Sequence, residues 1–161
     1  MMHRHLNVAL VQEKALKLMI NLAFHSPELS QRMVDLGAVE HVIAAVEWHP
    51  TSPAVVVKGL GALKNLTHIQ SGSDQVLAQG AHQMLVAQAV RSGSEPLQME
   101  AVCCLLNVTH NKEGLRAVRD AWADETNGHA NSPRIFKELR DSVTEPQLSK
   151  MLQQLEEELR E

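Results

Sequence analysis

Aromatic residues are nearly absent from this chain of 161 residues, which has two Phe, two Trp and no Tyr. Leu, Val, Ala and Met must therefore fill its core, and these residues suit helices packed on helices better than a β-sheet. The same shortage argues against modules that stack nucleic-acid bases on aromatic rings. The composition predicts an all-α protein.

Features of membrane, secreted and nucleic-acid-binding proteins are missing as well. The sequence has no apolar run long enough for a membrane span and no apolar segment of a secretory signal near residue 1. The neighbouring thiols Cys103 and Cys104 point in different directions on a helix, which indicates free cysteines and a reducing compartment. The net charge of −4 arises in residues 121–161, so no basic stripe is left for phosphates. We expect a cytoplasmic protein without membrane insertion or nucleic-acid binding.

An internal repeat is the main signal in the sequence. Three segments align, each with an Asn in the same position and apolar residues two before it and one after it: 15–23 with Asn21, 59–67 with Asn65, and 101–109 with Asn107. The Asn residues are 44 and 42 positions apart. Self-similarity at such a period is typical of solenoids, so it takes precedence over local secondary-structure signals.

Two further markers keep the same register. Gly37-Ala38 and Gly80-Ala81 each lie between an amphipathic segment and an apolar run, which predicts a helix break there. Pro53 and Pro96 precede the second and third Asn segments, and Pro is favourable at the first position of a helix. In the third copy Asp120-Ala121 replaces Gly-Ala, and the polar stretch 124–131 predicts a loop.

This all-helical pattern with three helices per repeat resembles the armadillo repeat, over roughly residues 5–121. The resemblance rests on the Asn-bearing long helix and the Gly-Ala break, and it implies a right-handed α-solenoid of armadillo-type three-helix repeats. We predict a single domain over 1–161, divided into a partial first repeat (5–49), a second (50–92), a third (93–131) and C-terminal capping helices (132–161). Apolar positions in the last segment have helical spacing: Ile135, Phe136, Leu139, Val143, Leu148, Met151, Leu152, Leu155 and Leu159.

The two ends of the repeat array are expected to differ. The last helix has Glu157-Glu158 where the others have Asn, and a polar outer face is what stops a solenoid from stacking. The first long helix lacks such a cap, and its apolar flank of Val8, Val11, Leu16 and Ile20 needs a neighbour. We therefore expect a C-terminal fragment of a longer solenoid, or a homo-oligomer formed through this N-terminal edge.

The resemblance implies that the Asn residues face a concave groove and bind the backbone of a partner peptide. Internal bonding between repeats is the alternative for the same amides. Neighbouring groove positions follow from the helical spacing: Lys14, Lys17, Lys58, Gly61, Glu100, Cys103, His68 and His110. The lysines can equally form a solvated face. In armadillo proteins that import nuclear cargo, Trp occupies the position of Lys17, Gly61 and Cys103, so the resemblance does not extend to basic cargo.

Other reactive side chains have more ordinary interpretations. Surface histidines fit better than a metal site, because such a site needs three or four ligands. Cys103 and Cys104 are expected to pack in the core or groove, with a redox role as the alternative. Trp48 either packs or is an exposed anchor. No catalytic motif is present, so we predict a protein or peptide-binding scaffold without cofactor or enzymatic activity, or else an assembly module.

Overall fold

The computed structural model describes residues 3–126 and 133–160, and within these ranges it is all-α, with no strand. A short 3-10 helix, His3–His5, is followed in the described residues by ten α-helices. Their bounds are α1 Ala9–His25, α2 Pro27–Asp35, α3 Ala38–Trp48, α4 Pro53–Leu66, α5 Gln70–Ala78, α6 Ala81–Arg91, α7 Glu95–Val108, α8 Lys112–Glu125, α9 Pro133–Ser142 and α10 Pro146–Arg160.

The helix boundaries confirm both predicted markers. Helix α4 begins at Pro53, and Pro96 lies in the first turn of α7, where a missing N–H costs no intrahelical bond. Gly37 and Gly80 precede α3 and α6 with φ of 80° and 69°, a left-handed conformation that a residue with a Cβ adopts at a cost. Gly37 thus allows the chain to turn between α2 and α3, which pack on each other.

The third copy differs from the prediction after residue 111. No break occurs at Asp120-Ala121, because α8 continues from Lys112 to Glu125. The predicted loop therefore begins later than residue 124, and its residues 127–131 lie outside the described part of the chain. Without a Gly able to adopt positive φ, the backbone has no reason to leave the helix there.

Contacts within the chain group into two compact units, Met1–Gln79 and Gly80–Glu161. In the first unit α4 packs against α1, α2 and α3. Helices α4 and α3 approach each other closely at Gly59, where an added Cβ would lie 2.3 Å from Cγ2 of Val46. The prediction of an open flank at Leu16 is wrong, because this side chain is fully buried on the face of α1 turned toward the core.

The second unit has its own core, formed by α6, α7, α8 and α10, with α9 against α10. The Trp122 and Phe136 rings stack with centroids 4.7 Å apart. Glu156, although buried, is paired with Arg140 and Arg160. The predicted apolar positions of α10 are buried, except for Met151, which is half-buried. In α9, Leu139 is buried as well, and Val143 follows the end of this helix. The side chain of Ile135 lies outside the described residues. The exposed face of α10 is polar, as predicted: Gln147, Lys150, Gln153, Gln154 and Glu157.

Candidate functional site

The predicted groove residues lie in rows along the long helices, except that His68 and His110 follow the ends of α4 and α7. Each row has five positions separated by four, three, four and three residues, the spacing that keeps side chains on one helical face. We call these the Asn rows of α1, α4 and α7: Leu10, Lys14, Lys17, Asn21 and Phe24; Ala54, Lys58, Gly61, Asn65 and His68; Pro96, Glu100, Cys103, Asn107 and His110. The three rows are not equally accessible.

The Asn row of α1 is exposed along its whole length. Leu10 is 62% exposed and Phe24 is 73% exposed, and the three polar side chains between them are exposed as well. This row therefore combines apolar ends, two ammonium groups and one amide on a single open face.

The Asn row of α4 is largely used by the fold itself. Lys58 is half-buried and its Nζ lies 2.9 Å from Oε1 of Glu13 on α1. This hydrogen bond and the charge of Lys58 hold the pKa of Glu13 below its usual value. Gly61 is buried, and only Ala54 and His68 at the two ends of the row are exposed.

Asn65 makes the internal bond that was the alternative to peptide contact. Its side chain is 6% exposed, and its Nδ2 donates to the backbone oxygen of Ile20 over 3.1 Å. The amide thus ties α4 to α1. The Oδ1 atom of Asn65 can still accept a hydrogen bond from a ligand.

A pocket of about 400 Å³ lies beside these two rows, within the first unit. It is lined by Ala23, Phe24, Pro27, Ser30, Lys64, Asn65, His68 and Ile69. Ser30 is buried and its Oγ donates to the backbone oxygen of Ala23 over 3.1 Å, so this lining side chain is held in one position. The pocket combines an apolar wall with a few polar groups, which is typical of sites that take a side chain or a small ligand.

The Asn row of α7 belongs to the second unit and has a different character. Glu100 and Asn107 are half-buried and His110 is exposed. Cys103 is half-buried, with its Sγ 4.0 Å from Sδ of Met151, while Cys104 is buried. Both cysteines are free, as predicted, and the packing of Cys103 against a thioether agrees with a lining role.

The described residues offer no group of three or more His, Cys, Asp or Glu side chains placed to hold a metal ion. His68 and His110 are both exposed, and Nδ1 of His110 lies 3.1 Å from the backbone oxygen of Asn107. A helix suited to crossing a membrane is also absent from the part of the chain that the structure describes.

Two residues of the α1 row, Leu10 and Phe24, are missing from the sequence prediction. Phe24 follows Asn21 by three positions, as His68 follows Asn65, so the repeat register contains the signal. Trp48 is 60% exposed, which fits the anchor alternative rather than packing.

Comparison with known proteins gives information on the fold alone. No family model matches the chain, and no curated protein matches it. Among solved structures, the crystal structure of an engineered protein from the Northeast Structural Genomics Consortium is similar, with a TM-score of 0.66 at 21% sequence identity. The match covers 95% of this chain and 76% of that one.

Proposed function

We propose that this chain is an armadillo-type interaction module that binds a peptide segment of a partner protein on the Asn row of α1 and in the adjoining pocket. The observation that carries the proposal is the exposure of all five row residues on one helical face. An enzymatic role has no comparable support, because the same surface lacks a paired base and nucleophile.

The chemistry of the row indicates what such a segment would offer. Lys14 and Lys17 are exposed cations that favour carboxylates, and the Asn21 amide can pair with a peptide N–H or C=O. Phe24, at the rim of the pocket, supplies an apolar contact. We therefore propose an acidic segment with an apolar side chain that enters the pocket, in a reducing compartment such as the cytoplasm.

An assembly role is the second candidate, and one specific observation favours it. Leu18 and Leu22 are 59% and 41% exposed on a stripe of α1 beside the Asn row. The two roles use neighbouring stripes with different chemistry, because the assembly stripe is apolar and the Asn row carries the two lysines.

A selection from a random phage-displayed peptide library tests the first role. We expect the selected peptides to be rich in Asp, Glu and large apolar residues. Selection against the Lys14→Glu, Lys17→Glu double variant should lose these sequences, whereas selection against Leu18→Ser should keep them. Peptides of unrelated composition, or the same peptides from both variants, would contradict the proposal.

A further inference from the structure

The pocket beside the Asn row of α1 combines positive charge with apolar surface. Lys64 brings an ammonium group to its lining and His68 an imidazole, whereas Ala23, Phe24 and Ile69 are apolar. Its volume of about 400 Å³ lies near the lower end of the range for ligand pockets, about 300–1,000 Å³. A pocket of this size and chemistry suits one apolar residue that carries an anionic group.

The lysine in this pocket is not required by the packing of the repeat. The matching positions in the other two copies, one residue before each Asn, are Ile20 and Leu106. Leu106 is 7% exposed, whereas Lys64 is half-buried in the lining of the pocket. The second copy thus has a cation where the other two have an aliphatic side chain.

The N-terminus of α5 also contributes to the pocket, through Ile69. In the matching helices α2 and α8, the side chains of Ser26 and Asn111 accept a hydrogen bond from a backbone N–H of the first turn. The hydrocarbon side chain of Ile69 cannot accept such a bond. Because the N–H groups that begin a helix attract anions, this end of α5 adds to the positive charge of Lys64.

We propose that this pocket binds the C-terminal residue of the partner segment, an apolar residue whose carboxylate is held by Lys64 and His68. The proposal rests on the proposed peptide binding and specifies which part of the peptide enters the pocket. A terminal residue carries an apolar side chain and a carboxylate on the same Cα, which matches the two kinds of lining. Oδ1 of Asn65, whose Nδ2 is bonded to the oxygen of Ile20, can accept the N–H of that residue.

An internal residue of the partner fits the same pocket less well. The side chain of an internal Asp or Glu would pair with Lys64 but would leave the apolar lining without a contact. An internal Leu or Phe would fill the apolar lining but would bring no negative charge to Lys64. A C-terminal apolar residue satisfies both parts of the pocket at once.

The Asn row of α1 then sets the positions of the acidic residues in the peptide. Lys17 and Lys14 precede Phe24 by seven and ten positions, which is about 10 and 15 Å along a helix axis. An extended peptide advances about 3.3 Å per residue. With the C-terminal residue beside Phe24, acidic side chains about three and about four to five positions earlier reach Lys17 and Lys14.

Two chemical forms of one peptide test the proposal by fluorescence polarisation. The peptide is selected from a random octapeptide library displayed with a free C-terminus, then synthesised with a C-terminal carboxylate or a C-terminal amide. We expect the wild type to bind the amide at least about tenfold more weakly. No enrichment from this library, selected peptides without an apolar C-terminal residue, or equal affinity for the two forms overturns the proposal.

Lys64→Met identifies the group that holds the carboxylate. This variant should bind the carboxylate form at least about tenfold more weakly than the wild type does, and the amide form nearly as well. Lys150→Met, at an exposed position on α10, is the matched control and should keep the full difference between the two forms. Equal losses for both forms on Lys64→Met overturn the assignment. Circular dichroism verifies folding, and the comparison on the wild type needs no variant.

The Lys14→Glu, Lys17→Glu double variant separates this inference from the proposed function. It should weaken binding of the carboxylate and amide forms by the same factor, because its changes lie on the Asn row and not in the pocket. Equal affinity for the two forms, with a loss on the double variant, overturns the C-terminal site alone. An unchanged affinity of the double variant, with a preserved preference for the carboxylate, overturns binding on the row alone.

Discussion

The side-chain amide of Asn65 on α4 donates to the backbone oxygen of Ile20 on α1 over 3.1 Å. Asn21 occupies the same repeat position and is exposed. The Asn at this repeat position thus has a structural role in the second copy, as Asn65, and is exposed to solvent in the first, as Asn21. The difference arises because α4 has α1 as its neighbour, whereas the Asn row of α1 faces solvent.

Asn65→Ala should lower the free energy of unfolding by about 0.5–1.5 kcal/mol, since it removes the hydrogen bond to the backbone oxygen of Ile20. Asn21→Ala, the matched control, should change it by less than about 0.5 kcal/mol because Asn21 is exposed. Urea unfolding followed by circular dichroism measures both values. Equal losses would show that the bond from Asn65 adds nothing to stability.

Gly59→Ala should destabilise the first unit by about 1–3 kcal/mol, because the added Cβ meets Cγ2 of Val46 at 2.3 Å. Adding Val46→Ala removes that methyl group, and the double variant should regain part of the loss. Gly93→Ala is the control, since a Cβ there has no heavy atom within 4 Å. The melting temperatures of the three variants measure these effects. The same melting temperature for Gly59→Ala and Gly93→Ala would contradict the close packing at Gly59.

The stability of the protein should fall as the pH is lowered through the range where histidine titrates, in part through His82. Burial lowers the pKa of His82 below its usual value of 6.5, so the unfolded chain takes up this proton before the folded chain does. The stability contributed by neutral His82 is complete above the pKa of His82 in the unfolded chain. It is lost as the pH falls toward the lower pKa of His82 in the folded chain.

Comparing melting temperatures at neutral and mildly acidic pH tests this contribution. His82→Gln should flatten the pH dependence. The same slope in the wild type and His82→Gln would exclude His82 as a source of the pH dependence.

Phe136→Ala should cost about 3–5 kcal/mol, because Phe136 is buried and stacks on Trp122 in the core of the second unit. Trp48→Ala should change stability by less than about 0.5 kcal/mol, since Trp48 is 60% exposed. Fluorescence separates the two indoles: Trp48→Phe should shift the emission to shorter wavelength by leaving only buried Trp122. An unshifted spectrum would argue against the burial of Trp122.

Repeat arithmetic predicted the positions of the long helices and both left-handed glycines, because these depend on local chemistry that recurs in each copy. It did not predict the burial of Leu16, and it left the internal bond of Asn65 as the alternative to peptide contact. Both features depend on which face of a helix packs against a neighbour. Helix α1 has apolar residues on two faces, and its sequence does not show which of the two is buried. The continuous helix at Asp120-Ala121 follows from the missing glycine, which the sequence displays.

The site prediction included three residues of the α1 row and missed Leu10 and Phe24. Both are apolar, and in a sequence an apolar residue on a helix indicates core. Only their exposure in the structure assigns them to an open surface. The repeat register places Phe24 in the position of His68 and His110, so a search by register would have included it.

The affinity of one selected acidic peptide for three forms of the chain tests the central claim most directly. Fluorescence polarisation of the labelled peptide should give at least about a tenfold weaker affinity for the Lys14→Glu, Lys17→Glu double variant than for the wild type. Leu18→Ser should bind like the wild type, and added salt should weaken binding to both. Equal affinity for the wild type and the double variant would contradict peptide binding on the Asn row of α1.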